Sequence, residues 1–204
     1  MPSDDAPAEN GHAAAQRPIG LAWTSFLRAL RNKNPGRSQA ADGPCSASVL
    51  SIADAAKRAV QYRRDGLRVV LTNGCFDLLH RGHVQYLREA RALGDILIVG
   101  LNSDASVARL KGPGRPVMKI DDRIALLTAL RAVDHVVVFE DATAERLVEA
   151  IRPKFWVKGG DYRSQYPPEA RVAERYGGEF RALAYVTGIS TSKVIDNITS
   201  NRLA

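Results

Sequence analysis

Residues 67–83 read LRVVLTNGCFDLLHRGH, and this stretch decides the fold. Its first six residues, 67–72, are mostly apolar and rich in β-formers, as in a strand buried on both faces of a sheet. A loop containing a glycine follows, and helical spacing then begins at about residue 81 and runs to 93. A buried strand that passes into a helix predicts the first half of a unit in which two parallel strands flank a crossover helix.

The same alternation continues to the C-terminus. Short apolar runs predict further strands at 96–101, 135–139, 155–157 and 179–186, while helical periodicity is found at 51–64, 104–110, 121–132, 143–151, 168–176 and 191–201. The pattern predicts an α/β fold: a Rossmann-like, doubly wound parallel sheet of about five strands with helices on both faces. Such sheets bind ligands beyond the carboxyl ends of their strands, where the strand order reverses.

Length and composition limit the organisation of the chain. Its 204 residues suffice for one domain of ordinary size plus a tail, and 45% hydrophobic with 25% charged residues excludes a wholly disordered or fibrous protein. Residues 1–48 are a mixture of small, polar and turn-forming residues, which predicts a flexible N-terminal extension. Apolar residues at helical spacing within it predict a short amphipathic helix there (Ile19, Trp23, Phe26, Leu27 and Leu30). Residues 49–204 are the predicted folded domain.

Charge and cysteine content indicate the compartment and the partners. The formal net charge of +7 favours anionic partners, which include nucleic acid, membrane surfaces and phosphorylated metabolites. Two cysteines, Cys45 and Cys75, are too few for a disulfide framework. With acidic residues at the N-terminus and no apolar stretch of about 18 residues, we expect a cytoplasmic protein without a signal peptide or a membrane span.

The loop at 73–83, called the signature loop below, carries the chemistry. His80 and His83 are three residues apart at a helix start, so both imidazoles can face one side, and Gly82 between them permits a close approach. The helix start adds free N–H donors and a partial positive charge, which together suit a phosphate. The alternatives are helix-capping or packing histidines, and a zinc site, for which further ligands at suitable spacing are lacking.

The signature loop resembles the HxGH motif of the nucleotidyltransferase superfamily. Within it the sequence is most similar to bacterial D-glycero-β-D-manno-heptose 1-phosphate adenylyltransferases, the C-terminal half of the bifunctional heptose kinase/adenylyltransferases. The resemblance runs from about Ser51 to Ile198, and its other landmarks are 102–104, 109–112 with 115–116, 122–123, 157–162 and 188–192. The related glycerol 3-phosphate cytidylyltransferases have an arginine four residues before the last landmark, and this chain has none there, which argues against the cytidylyl branch.

The resemblance implies roles for individual residues. The catalytic set would be His80, His83, Lys111 and Arg123, which would donate hydrogen bonds to the triphosphate. Nucleotide contacts would come from Asn73, Gly74, Cys75, Phe76, Gly82, Lys158, Gly159, Gly160, Asp161, Ser190, Thr191 and Ser192, and sugar-phosphate contacts from Asp77, Asn102 and Asp104.

Each assignment has a structural alternative. Lys111 can be a solvated loop lysine, and Arg123 can pair with a neighbouring aspartate at the surface. The 158–161 segment can be a plain glycine turn, 190–192 a helix cap, and Cys75 a packing residue. Asp77 and Asp104 can be capping carboxylates or can hold basic residues of the site.

The expected activity is transfer of the adenylyl group of ATP to D-glycero-D-manno-heptose 1-phosphate, giving ADP-heptose and pyrophosphate. Mg²⁺ would be held mainly by the phosphates. The resemblance also implies pairing as a homodimer, and because the chain has no room for a sugar kinase domain we expect that kinase to be a separate protein. Alternatives are a cytidylyl- or guanylyltransferase acting on another sugar phosphate or glycerol 3-phosphate, or a regulatory nucleotide-binding module. Neither nucleic acid nor a membrane is an expected partner, because no clustered basic patch is present.

Overall fold

The computed structural model describes residues 47–160, 166–184 and 188–200. Its strands are β1 (Ser48–Leu50), β2 (Val69–Gly74), β3 (Ile96–Asn102), β4 (His135–Phe139), β5 (Phe155–Gly159) and β6 (Glu179–Leu183). Its helices are α1 (Ile52–Arg64), α2 (Arg81–Ala92), α3 (Asp104–Lys111), α4 (Ile120–Thr128), α5 (Glu145–Ile151), α6 (Pro168–Arg175) and α7 (Thr191–Ser200). The predicted amphipathic helix at 19–30 lies outside the described residues, and the domain boundary after residue 48 stays a prediction.

The strands form one parallel sheet in the order β1-β4-β3-β2-β5-β6. From β2 the chain moves outward through β3 to β4, and it then returns to place β5 on the other side of β2. The strand order therefore reverses between β2 and β5, and the loops that follow these two strands diverge there. The predicted doubly wound α/β fold is confirmed, with six strands rather than about five.

The additional strand, β1, is held by a buried histidine. Ser48 is in register with His135 of β4, and its Oγ lies 2.7 Å from Nδ1 of that ring. Nε2 of the same ring lies 2.6 Å from the hydroxyl of Tyr62 in α1. Three residues give no periodicity that sequence can detect, so this strand is defined by its contacts. His135, which has no role in the sequence analysis, thus joins β1, β4 and α1.

Side chains leave the sheet on two faces. Val69 and Leu71 of β2 pack with α1, α5 and α6, and we call this side the α5 face. Val70 and the other alternating strand residues pack with α2 and α4 on the opposite side, the α2 face. Because successive side chains of a strand point to opposite faces of the sheet, β2 contributes residues to the core on each side.

Local signals determine where the helices start and end. Ser51 precedes α1, and its Oγ accepts a hydrogen bond from the Asp54 N–H at 3.0 Å. Ser103 caps α3 in the same way through the N–H of Ser106. Helix α4 ends at Thr128 rather than at the predicted 132, because the chain turns through 127–133 into β4. No helix within the described ranges is long and apolar enough to cross a membrane.

Candidate active site

A cavity of about 770 Å³ lies at the carboxyl ends of the strands, beside the point where the strand order reverses. The predicted site residues that line it are Asn73, Gly74, Cys75, Phe76, Asp77, His80, His83, Asn102, Lys111, Lys158, Gly159, Ser190, Thr191 and Ser192. Four other predicted residues, Gly82, Asp104, Arg123 and Gly160, are not on its wall. Asp161 lies outside the described residues. The fold thus assembles most of the predicted site from five separate segments.

His80 and His83, the histidine pair, stack on one another at the start of α2. Their ring centroids are 3.8 Å apart with an angle of 18° between the planes, and Phe76 meets the His83 ring edge-on at 5.2 Å. Nδ1 of each histidine is buried and has no hydrogen-bond partner in the described part of the chain. Buried polar atoms are normally paired, so these two unpaired nitrogens mark the histidine pair as an exception of the kind found at functional sites.

The histidine pair is electrically neutral in the free protein. Burial, reinforced by the neighbouring His80, lowers the pKa of His83 from 6.5 to about 4. Burial also lowers the pKa of His80. Protonation of both stacked rings is unfavourable, because like charges in a partly buried site repel each other. At neutral pH each ring therefore presents one N–H donor and one acceptor nitrogen.

Gly82 supports the histidine pair from behind the cavity wall. A Cβ at this position would lie 3.0 Å from Nδ1 and Cε1 of His80 and 3.3 Å from Ile189. From sequence, this glycine was predicted to permit a close approach of the ligand. The structure instead shows that its missing side chain makes room for the His80 ring and for Ile189, which precedes α7.

Phe76 gives the signature loop an unusual backbone. Its φ is 45°, in the left-handed region that residues other than glycine rarely adopt. The ring is 5% exposed and lies so close to Gly74 that a Cβ there would be 3.1 Å from it. Tight packing on His83 and Gly74 therefore holds this strained residue in place, as is common at functional sites.

Arg123 is placed differently from the sequence prediction. It is fully buried in α4, where its guanidinium donates to the carbonyls of Cys75 (2.7 Å), Asn102 (2.8 Å) and Met118 (3.1 Å). It also forms an ion pair with Asp104 at 2.6 Å. Arg123 does not reach the cavity, so the geometry corrects the predicted phosphate contact to a positioning role. The surface pair with Asp121 or Asp122 is not formed either.

The predicted sugar-phosphate residues are engaged with the protein itself. Asp77 is 2% exposed and accepts hydrogen bonds from the N–H groups of Val117 and Met118 and from Nε of Arg115 at 2.5 Å. The Asn102 side chain donates to Ser106, and Asp104 holds Arg123. Asp77 and Asp104 thus hold basic residues, which is one of the alternatives left open by the sequence.

Cations and helix ends surround the cavity. Lys158 donates from Nζ to the carbonyl of Asn73 at 3.2 Å, and burial lowers its pKa. Lys111 lies on the wall at the end of α3. At the start of α7, Ser190 accepts a hydrogen bond from the Lys193 N–H at 3.2 Å. Ser190 therefore acts as a helix cap and lines the cavity at the same time, so both sequence interpretations apply to it.

Burial also raises the pKa of the Cys75 thiol, with Lys111 and Arg123 acting in the opposite direction. A thiol in this state is mainly protonated at neutral pH and is a poor nucleophile. This agrees with the interpretation of Cys75 as a packing residue of the signature loop.

Several residues of the cavity wall are not among the predicted site residues. One is Tyr86, although its three-residue spacing from His83 places it on the same helix face; its hydroxyl bonds to Thr72 and to the Val157 carbonyl. Arg115 belonged to a landmark without a role. Leu110, Gly188 and Ile189 likewise belonged to landmarks without a role of their own. The remaining wall residues have no local signal, since distant segments bring them to the wall: Ala142, Glu169 and Lys193.

A parallel α/β sheet with an HxGH loop at its switch point defines a nucleotidyltransferase, and comparison with known proteins agrees. Residues 71–197 match the model of the cytidylyltransferase-like family, which is more than half of the chain. The chain therefore belongs to the cytidylyltransferase-like family. The sequence prediction of a nucleotidyltransferase is confirmed at this level.

Curated relatives of the chain carry the name bifunctional protein HldE. The relative from Pseudomonas paraeruginosa (strain DSM 24068 / PA7) is 53% identical over 136 residues, which are 67% of this chain and 29% of that protein. The relative from Hahella chejuensis is 48% identical over 141 residues, or 69% of this chain and 30% of that protein. The chain thus spans less than a third of the length of these relatives.

Among solved structures, the chain is similar to the crystal structure of the lipopolysaccharide core biosynthesis protein from Thermoplasma volcanium GSS1. The sequence identity is 27%, the TM-score is 0.49, and the match covers 61% of this chain and all of that one.

The buried contacts of Arg123 lead to a first prediction. Arg123→Lys removes the fork that spans three carbonyls and Asp104, so we expect the free energy of unfolding to fall by about 3–5 kcal/mol. Urea denaturation measures this, with Arg131→Lys at an exposed position as the control. A variant as stable as the wild type would contradict the positioning role.

The neutral histidine pair leads to a prediction on pH. An unfolded His83 takes up a proton near pH 6.5, whereas the folded one resists protonation until about pH 4. Between these values the unfolded state binds more protons, so the free energy of unfolding decreases as the pH falls from 6.5 towards 4. His83→Asn is expected to make this decrease shallower in urea titrations between pH 7 and 4. An unchanged slope would show that His83 is not held neutral.

Proposed function

We propose that this chain transfers the adenylyl group of ATP to D-glycero-D-manno-heptose 1-phosphate, forming ADP-heptose and pyrophosphate. The observation that carries the proposal is the cavity at the switch point, where the histidine pair, Lys111, Lys158 and the start of α7 converge. Every one of these groups can donate a hydrogen bond or supply positive charge, which suits a ligand rich in phosphate.

The proposed reaction needs positioned donors more than it needs a nucleophile from the protein. An oxygen of the sugar phosphate attacks the α-phosphorus of ATP, and the bond from that phosphorus to the oxygen bridging to the β-phosphate breaks, so that pyrophosphate leaves. Negative charge builds up on the phosphate oxygens during this exchange. The histidine pair and the N–H groups at the starts of α2 and α7 would stabilise that charge, and no covalent enzyme intermediate is required.

The histidine pair also suits a ligand that brings its own charge. Nδ1 of each ring is buried and has no hydrogen-bond partner among the described residues, and the low pKa of His83 means that the protein avoids the cost of a buried cation there. A bound triphosphate would favour protonation, because opposite charge nearby raises the pKa of a histidine. The neutral histidine pair can therefore form hydrogen bonds to phosphate, and it carries no buried charge that would need a partner.

Mg²⁺ would be held at this site mainly by the nucleotide. Within the described ranges, no group of three or more histidine, cysteine or acidic side chains is placed to hold a metal ion. Mg²⁺ prefers oxygen ligands and usually keeps contacts to substrate phosphates. We therefore propose that ATP phosphates supply most of its ligands and that it neutralises phosphate charge when bound. Lys111 and the histidine pair would bind the same phosphates directly.

The choice of nucleotide and acceptor rests on the sequence. The motifs at 109–112 and 157–162 resemble those of heptose 1-phosphate adenylyltransferases, and the relatives named HldE match over two thirds of the chain. The family description, cytidylyltransferase-like, favours the second candidate: transfer from CTP or GTP to another sugar phosphate or to glycerol 3-phosphate. The homodimer and the separate sugar kinase stay predictions.

A substrate panel distinguishes the two candidates. The protein is incubated with Mg²⁺, each of the four nucleoside triphosphates, and a set of sugar and polyol phosphates, and pyrophosphate release is measured. We expect release with ATP and the heptose 1-phosphate, and its loss when the metal is chelated. Release only with CTP and glycerol 3-phosphate would overturn the proposal in favour of the second candidate.

The role of the histidine pair is tested by substitution. His83→Ala removes a donor to the transition state, so we expect turnover to fall by at least about 100-fold with the fold retained. The matched control is Gln85→Ala, two residues later on α2, whose side chain bonds to Glu89. Turnover at the wild-type level in a folded His83→Ala protein would leave the ring with a packing role only.

A further inference from the structure

One carboxylate on the cavity wall has no part in the transfer described so far. Glu169, the second residue of α6, is only 7% exposed and lines the cavity together with Lys158 and Ala142. Acidic side chains are almost never buried this deeply unless they have partners. The contacts of Glu169 therefore bear on its role.

One oxygen of Glu169 has a structural partner. Oε1 accepts a hydrogen bond at 3.0 Å from the backbone N–H of Ala144, the residue that precedes α5. Ala144 has no side chain that can cap this helix, so Glu169 caps it from α6. Oε2 has no hydrogen bond to any residue that the structure describes. It can therefore accept hydrogen bonds from a ligand in the cavity.

Glu169 and the histidine pair lie on opposite sides of the sheet edge. Helix α6 packs on the α5 face, as does Ala144, whereas α2, which begins at the histidine pair, packs on the α2 face. Lys158, at the end of β5, lies between them. Burial lowers the pKa of Lys158; the charge of Glu169 opposes this shift, and that of Lys111 adds to it. The cavity thus has a side rich in donors and, across Lys158, a side with a carboxylate.

The geometry of in-line transfer favours ATP on the side of the histidine pair and the acceptor on the side of Glu169. The entering and leaving oxygens lie on opposite sides of the phosphorus, so the acceptor approaches from the side away from pyrophosphate. The donors of the histidine pair and α7 favour the triphosphate on the α2 face. The acceptor phosphate would then lie near Lys158, and the rest of the acceptor would extend towards Glu169.

The charge of Glu169 determines which part of the acceptor it can bind. A carboxylate beside a phosphate is repelled, because like charges at close range destabilise a site. Hydroxyl groups are suitable partners, since a carboxylate only accepts hydrogen bonds and a hydroxyl can donate. A sugar phosphate carries both parts: an anion for Lys158 and hydroxyls for Glu169.

We propose that Glu169 is a specificity-determining residue whose Oε2 accepts a hydrogen bond from a hydroxyl group of the acceptor sugar. The inference rests on the proposed function, because it assumes a sugar phosphate as the acceptor. It adds a basis for selecting that acceptor over phosphates without hydroxyls in this position. A site built to bind a hydroxyl rejects analogues that lack it, because its polar group is then left unpaired.

Glu169→Gln separates the two functions of this side chain. The amide oxygen still accepts from the Ala144 N–H, so the thermal midpoint of unfolding should stay near that of the wild type. The NH₂ group replaces Oε2 by a donor, so the charge-assisted bond from the sugar hydroxyl is lost and at most a neutral bond to the hydroxyl oxygen takes its place. We expect KM for the sugar phosphate to rise about 10- to 100-fold, with KM for ATP unchanged. Glu149→Gln, an exposed carboxylate on α5, is the matched control.

Three kinetic outcomes would overturn the inference. KM for the sugar phosphate equal to that of the wild type would show that Oε2 binds nothing in the acceptor. A rise in KM for ATP alone would place Glu169 at the nucleotide. A fall in kcat with both KM values unchanged would assign it to the chemical step or to the metal.

Deoxy analogues of the acceptor provide a second test, which uses the wild-type protein alone. One analogue lacking a single hydroxyl should lose kcat/KM with the wild type and lose far less with Glu169→Gln. Equal kcat/KM for all the analogues would overturn the inference even if the variant did not fold. If the wild-type protein were inactive on every sugar phosphate, both the proposed function and this inference would be overturned. If it were active but did not discriminate between the sugar phosphate and its deoxy analogues, only the role of Glu169 would be overturned.

Discussion

The buried guanidinium of Arg123 holds the site together. The carbonyls of Cys75 and Asn102 lie where the β2 and β3 ladders stop, and backbone oxygens buried beyond a ladder need another donor. Arg123 supplies it to both, and it binds the Met118 carbonyl and the Asp104 carboxylate as well. A buried charge is stable only when it is paired and hydrogen-bonded in this way. One side chain thus fixes the relative positions of the signature loop, the end of β3 and the segment before α4.

The signature loop built on this framework is shaped by packing as much as by charge. Phe76 occupies a strained backbone conformation, Gly82 makes room for the His80 ring, and the two imidazoles stack within 3.8 Å. Desolvation favours the neutral form of the rings, and positive charge at the cavity wall comes from cations that include Lys111 and Lys158. Because the histidines form no ion pair with any described residue, none has to be broken there when they bind a phosphate. Asp77 and Asp104 do form ion pairs, with Arg115 and Arg123.

The sequence alone predicts those elements and site residues whose signal lies within a short segment of the chain. Strand and helix periodicity placed β2 to β6 and the seven helices of the described residues, because burial of one side of an element repeats at fixed intervals along the chain. β1 was missed, since three residues joined to His135 leave no period. Arg123 was predicted to touch phosphate, because an arginine near a helix start and a motif looks the same in sequence whether it faces a ligand or the protein interior.

The sequence by itself determined the fold class, the location of the site at the switch point, and the signature loop with its histidine pair. Those features are encoded within segments of about a dozen residues, where spacing and residue type suffice. Only the tertiary structure decided which side chains face the cavity. Glu169 and Lys193 reach its wall, and Arg123 and Asp104 turn towards each other, because packing α4, α6 and α7 against the sheet fixes directions that no local pattern records.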